Sequence, residues 1–205
     1  MSTAEKRKYT VAEYFAVEEL ATQKHEYYKG EIYAMSGGTA AHNRIAANIF
    51  GNLFEQLRTK DCLPNSSDLL VNANSLYTYP DVSVVCPPVE REPAPIETIL
   101  NPRVIVEVLS PSTERYDRNV KFRHYQQVSS VQEILLVQPE APLVEHYSRA
   151  ADGSWLLTLT SDIEGEVALA SIGCKLPMRH IYAIVEFPTA PFEVVAPPFP
   201  PQSGH

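Results

Sequence analysis

Residues 101–126 read NPRVIVEVLSPSTERYDRNVKFRHYQ, and the fold follows from how this stretch is read. Val104-Ile105-Val106 and Val108-Leu109 form an apolar, largely β-branched run of the kind that fills a strand buried on both faces. Glu107 stands inside that run, where an unpaired charge is costly. Ser110-Pro111 closes the strand, because proline lacks the ladder donor. A helix is expected next, ending near Val128. Asp117, Lys121 and Tyr125 recur along it at four-residue spacing and so share one face. An acid on a buried strand is thus followed at once by a helix able to present a lysine to it.

Upstream, Tyr79-Pro80-Asp81-Val82-Ser83-Val84-Val85 reads as another strand. Residues two apart share a strand face. Ile105, Glu107 and Leu109 therefore point one way, and Asp81, Ser83 and Val85 share a face of their own strand. If the two strands are neighbours, Asp81 and Glu107 converge. Converging carboxylates repel unless a cation lies between them. Oxygen ligands without cysteine or histidine favour a hard ion, magnesium or manganese.

The rest of the chain reads as an α/β pattern. Thr10-Val11-Ala12-Glu13 is a capping box opening a helix to about Ala21. His25-Glu26-Tyr27-Tyr28 and Glu31 to Met35 are two short strands around a Lys29-Gly30 turn. Thr39 to about Thr59 is the longest helix, with Ile45, Ile49, Leu53 and Leu57 as its buried stripe. Lys60 to Ser67 reads as a loop, and Asp68 to Asn72 as a strand. Pro87 to Pro102 is rich in proline and charge and reads as a surface connection. Strands follow at Val131–Gln138, Leu143–Tyr147 and Trp155–Thr160, the last two joined through Asp152-Gly153. Val167–Leu169 and Cys174–Leu176 are short strand candidates, and Pro177–Val185 a closing helix.

The chain has 205 residues, a formal net charge of -8 and 44% hydrophobic residues. That size suits one domain, and the acidic balance disfavours a sequence-blind nucleic-acid coat. Cys62, Cys86 and Cys174 are scattered with no CxxC pair, so neither a disulfide framework nor a zinc knuckle is expected. The N-terminus lacks an apolar signal core, and no apolar run approaches the roughly 20 residues of a membrane span. The expectation is a reducing, cytoplasmic compartment.

An acid, a second acid some way downstream and then a lysine is an order that resembles the PD-(D/E)XK nuclease superfamily. More closely, the chain resembles the restriction-endonuclease-like Uma-two family. The matching pieces are Tyr9 to Tyr14, His25 to Ile32, His42, Pro80-Asp81-Val82, Val106 to Thr113, and Asp117 with Lys121 and Tyr125. The resemblance implies an α/β fold with a restriction-endonuclease-like core, a mixed central sheet flanked by helices, over residues 1–187. It implies a metal-dependent DNA endonuclease that works as a homodimer. Asp81 and Glu107 would hold Mg2+ or Mn2+ with the backbone carbonyl of Val108. Glu26 would be a further acid and Lys121 would orient or polarise the attacking water. Leu109 departs from the family, which usually has lysine there. That departure favours an alternative, an inactive nuclease-fold protein that binds nucleic acid or a partner protein.

Bland roles compete for several of these residues. Glu26 and Glu31 compete for one position, Glu31 reading more simply as a solvent-facing strand residue. Asp81 could cap a strand end, and Lys121 could be a solvated lysine paired with Asp117. His42 and His124 read as interface and surface histidines. Arg115, Arg118 and Arg123 form either a solvated face or a basic rim. Tyr27, Tyr28, Tyr33, Tyr77 and Tyr79 are strand residues that could stack on bases. Residues 188–205 form a proline-rich tail with no packing face. Deleting the tail is expected to leave the melting temperature unchanged, as read by thermal denaturation; a sharp fall would make it an assembly arm.

Overall fold

The computed structural model describes residues 7–35 and 37–187, so the proline-rich segment 188–205 lies outside the described residues. Helix α1 (Val11–Glu18) is followed by the hairpin β1 (His25–Tyr28) and β2 (Glu31–Ala34), then by the long helix α2 (Ala40–Leu57). The chain continues through β3 (Leu63–Ser66), β4 (Leu70–Ala73), β5 (Leu76–Thr78) and β6 (Val82–Val85). Two very short strands, β7 (Arg91–Glu92) and β8 (Thr98–Ile99), precede the central strand β9 (Pro102–Val108). Then come α3 (Glu114–Tyr116), a π-helical turn (Asp117–Lys121) and α4 (Phe122–Gln127). Strands β10 (Glu133–Val137), β11 (Val144–Arg149), β12 (Trp155–Thr160), β13 (Glu166–Leu169) and β14 (Cys174–Pro177) lead to α5 (Met178–Ile181).

The main sheet has the order β12-β11-β10-β9-β6-β3. It is mixed: β9 and β10 are parallel, and the other pairs are antiparallel. A parallel pair needs a crossover, and the helical segment from Glu114 to Gln127 supplies it. The second sheet, β2-β1-β5-β4-β8-β7, lies upstream of β9 in the chain. Between β5 and β6 the chain leaves one sheet for the other, and Asp81 lies on that passage.

Strand alternation divides the core as the sequence suggests. Val104, Val106 and Val108 pack with Val82, Val84 and the α2 stripe of Ile45, Ile49, Leu53 and Leu57. Ile105 and Leu109 point to the other side, into a cluster with Phe122 and Tyr125 of α4. Helix α2 thus covers one face and the crossover helices the other. At the N-terminus the capping box forms, Thr10 Oγ1 accepting from Glu13 N–H at 3.2 Å and the Glu13 carboxylate accepting from Thr10 N–H at 2.8 Å. In the β1–β2 turn Lys29 and Gly30 both have positive φ, 49° and 82°, the twist that a two-residue hairpin requires.

Several expectations need correction. The segment 60–67 is not all loop: β3 pairs with β6 as the edge of the main sheet, where Pro64 costs no inward ladder bond. That pairing aligns Leu63 with Val85, which brings the residues just beyond them together as a Cys62–Cys86 disulfide. Cysteine spacing does not reveal a bond made by strand register. The scattered cysteines therefore no longer argue for a reducing, cytoplasmic compartment. Among the described residues, no helix is long and apolar enough to cross a membrane. The closing helix is shorter than expected, four residues at Met178–Ile181.

Leu53 is 0% exposed at the centre of the α2 stripe. Leu53→Ala is expected to destabilise the protein by about 2–5 kcal/mol, measured by urea denaturation.

Candidate functional site

The site grows from the end of β9. Glu107 is 3% exposed, so its carboxylate depends on partners. Tyr125 OH donates to Glu107 Oε1 at 2.5 Å, and Lys121 Nζ lies 3.3 Å from the same oxygen. The ammonium is also 2.9 Å from Glu26 Oε1 and 3.4 Å from Asp117 Oδ1. Lys121 thus ties β1, β9 and the π turn to one point. The π turn carries an i→i+5 bond from Phe122 N–H to the Asp117 carbonyl, a local widening of the helix that recurs at functional sites. Despite it, Asp117, Lys121 and Tyr125 all remain buried.

Asp81 approaches from the start of β6, the strand beside β9. Val82 pairs with Val106, so the antiparallel register carried one step further sets Asp81 opposite Glu107. Asp81 Oδ2 accepts from Val108 N–H at 2.7 Å and lies 3.2 Å from His42 Nε2. In a strand the N–H and C=O of one residue point to the same edge, so the Val108 carbonyl faces the Asp81 side. Glu26, Asp81, Glu107, Val108, Asp117 and Lys121 line one cavity of about 470 Å3. The four side chains expected to carry chemistry, Glu26, Asp81, Glu107 and Lys121, are brought together in it.

Neighbouring contacts set these positions. Glu18 accepts from His25 N–H at 3.0 Å and from Tyr79 OH at 2.9 Å, which anchors β1 one residue before Glu26. Thr78 Oγ1 donates to Glu26 Oε1. Arg118 lies 2.8 Å from Glu114 and 2.6 Å from Glu145 of β11, holding the crossover against the sheet. At the mouth, a Cβ on Gly38 would come within 2.5 Å of His42 Nδ1, so the glycine leaves room for the imidazole that meets Asp81.

Other candidates fall elsewhere. Glu31 pairs with Lys8 at 3.0 Å and does not line the cavity, whereas Glu26 does. Arg118 is engaged in the ion pairs above and is no rim, whereas Arg115 and Arg123 are exposed. His124 Nδ1 meets the carbonyls of Ala73 and Asn74, both at 3.0 Å. Tyr27 and Tyr77 are buried with Tyr14 in an aromatic cluster and cannot stack on a base. Leu109 is buried in the apolar cluster under α4. The residues that the pattern underrates are His42 and Tyr116. His42 sits three residues into a helix where a polar histidine looks ordinary, and the Tyr116 hydroxyl is buried beside the cavity near Glu26.

The cluster holds more acid than base. Burial, opposed by Lys121 and reinforced by Asp117 and Asp81, raises the Glu107 pKa well above 4.5. Burial likewise raises that of Asp117, with Lys121 and Thr113 acting against it. For Lys121, burial acts downward, but Glu107 and Glu26 outweigh it and hold the ammonium charged. Burial also acts downward on His42, and its bond to Asp81 reverses the sign.

The donor set fits a hard divalent cation. All the donors are oxygens, and bonding within the cluster engages one oxygen each of Glu26, Glu107 and Asp81. Asp117 Oδ1 has the Lys121 ammonium, at 3.4 Å, as its partner. Among the described residues no three acids, histidines or cysteines are arranged to hold a metal ion by themselves. Magnesium is commonly held by one or two carboxylates together with water and substrate phosphate.

Comparison with known proteins follows this geometry. A family model described as "Uma2: Putative restriction endonuclease" matches residues 11–179. Two uncharacterized proteins of Synechocystis are similar to the chain. Slr1290 is 39% identical over 178 residues, covering 85% of this chain and 92% of its own. Sll1609 is 36% identical over 151 residues, covering 73% and 85%. A crystal structure from Anabaena variabilis, described as a "putative nuclease belonging to DUF820", superposes with a TM-score of 0.66 at 16% identity, covering 79% of this chain and 91% of that one. The last likeness bears out the expected restriction-endonuclease-like fold.

Glu107 binds its proton more tightly in the folded chain than in the unfolded one. Its favourable contribution is full at pH below 4.5 and is lost as pH rises through the raised folded value. In chelator, Glu107→Gln is therefore expected to melt at or above the wild-type temperature, with a margin that grows as pH rises above 4.5. Melting curves across pH check the sign.

Proposed function

The chain belongs to the Uma2 family, and on that premise we propose that it is a metal-dependent endonuclease hydrolysing phosphodiester bonds in DNA. The observation that carries the reading is the buried Lys121 ammonium, 2.9 Å from Glu26 and 3.3 Å from Glu107, in a cavity shared with Asp81. Asp81, Glu107 and the Val108 carbonyl would hold Mg2+ or Mn2+. When bound, such an ion supplies Lewis-acid activation of water and of the phosphoryl oxygen. Lys121 offers positive charge where negative charge develops on phosphorus. Glu26 holds that ammonium in place and its second oxygen is available to order a water. His42, bonded to Asp81, orients that carboxylate. We also propose a homodimer, supported by the exposed Leu156 and Leu159 on the edge strand β12.

One observation favours the alternative of an inactive, nucleic-acid-binding relative. Lys121 is already surrounded by three carboxylates, and the position where the superfamily usually has lysine is Leu109, buried in an apolar cluster. Cleavage assays on plasmid and oligonucleotide DNA with magnesium, manganese or chelator separate the two readings. Asp81→Asn and Glu107→Gln are expected to abolish metal-dependent cleavage while the protein stays folded. Lys121→Met is expected to slow cleavage by about 10²–10³-fold, the scale of removing one electrostatic donor. A wild type that cleaves with neither ion, or a Lys121→Met variant that is folded and as fast as wild type, would support the inactive reading.

A further inference from the structure

Beside the catalytic cavity lies a second cleft, between the β1–β2 turn and the crossover helix. Tyr28 and Val120 line both, so the two adjoin. The charge-bearing side chains of the second cleft are Lys29, Arg123 and His124, and no acid among the described residues lines it. This is unusual in a chain of net charge -8. Six exposed cations elsewhere are paired, Arg7 with Glu13, Lys8 with Glu31, Arg58 with Glu55, Arg91 with Glu97, Lys175 with Glu166 and Arg179 with Glu164, while Arg44, Lys60 and Arg115 make no ion pair among the described residues. Lys29 and Arg123 make no ion pair among the described residues.

The cleft is also framed firmly. Lys29 stands at the tip of a tight turn with φ 49°, and its ammonium lies 5.0 Å from the centre of the Tyr28 ring. His124 packs edge-on against Tyr28 with centroids 5.1 Å apart. Its Nδ1 rests on the carbonyls of Ala73 and Asn74, which leaves Nε2 as its remaining polar atom. The Asn119 amide donates to the Arg115 carbonyl at 2.8 Å on the same wall.

We infer that this cleft is the track for the nucleic-acid strand next to the bond being cut, with Lys29 and Arg123 each holding a backbone phosphate. The inference rests on the nuclease reading for its direction, since the track leads from the cavity that holds Glu107 and Lys121. Its chemistry is that of a repeating anion. Two unpaired cations flank a partly buried aromatic ring, the combination that tracks a phosphate backbone while a base rests on a π face.

The test measures binding, so it does not depend on cleavage. A fluorescein-labelled single-stranded 12-nucleotide DNA is titrated with protein in chelator, by anisotropy, at several salt concentrations. Lys29→Asn keeps a residue that tolerates positive φ, and Arg123→Gln keeps the length of an exposed side chain. Each is expected to weaken binding and to flatten the slope of log K against log salt by roughly 0.7, one single-strand phosphate contact. Arg179→Gln, outside the cleft, is the control and is expected to match wild type. Unchanged melting temperatures show that the variants are folded. Wild type that fails to bind the oligonucleotide, or cleft variants that match its affinity and slope, would overturn the track. If wild type cleaves with neither magnesium nor manganese while the cleft variants still lose affinity, the track stands and the nuclease reading falls.

Discussion

The Lys121 ammonium, buried between Glu26, Glu107 and Asp117, is the constraint on which the rest of the site depends. A lysine that is 6% exposed must recover its lost hydration from fixed partners. Three carboxylates do so, and each arrives on a different element. Glu26 comes on the second sheet, Glu107 on the central strand, and Asp117 on the π turn. Moving any of these elements would leave a charge unpaired in the interior. The ion cluster therefore fixes the relative position of two sheets and a helix, which apolar packing alone specifies less sharply.

That arrangement leaves negative charge in excess around one cation. Burial first, and repulsion from neighbouring carboxylates second, raises the pKa of Glu107 and Asp117, because a held proton removes a costly buried charge. A divalent cation would offset that charge instead, and oxygen atoms left outside the internal bonds are available to it. On the proposed metal-dependent reading, binding an ion would release protons, so affinity and pH would be coupled through the same side chains. The basic cleft next door sits apart from this excess. Its cations stay unpaired because the acids of the neighbourhood are committed to Lys121 and Arg118.

The helices and the central strand were legible because each has a local cause. Thr10 and Glu13 cap α1, a four-residue stripe defines α2, and a β-branched run defines β9. Glu107 stood out for a related reason, a charge where local hydrophobicity predicts none. Edge strand β3 and the minor strands β7 and β8 were not legible, since their pairing partners lie far along the chain and their own residues are weak strand formers. The Cys62–Cys86 bond escaped for the same reason.

Sequence by itself determined the α/β class, the buried acid on β9, the hairpin turn at Lys29-Gly30 and the spacing that sets Lys121 on the crossover. These follow from periodicity, propensity and turn chemistry, which act over a few residues. Only the tertiary structure decided between Glu26 and Glu31, bound His42 to Asp81, and removed Arg118 from the basic rim by pairing it with Glu145. Strand alternation constrains which face a side chain takes, but not which other strand that face meets. Glu26 and Glu31 belong to one hairpin, and the choice between them was made by the approach of a helix almost a hundred residues away, carrying a charge that only one of them could reach.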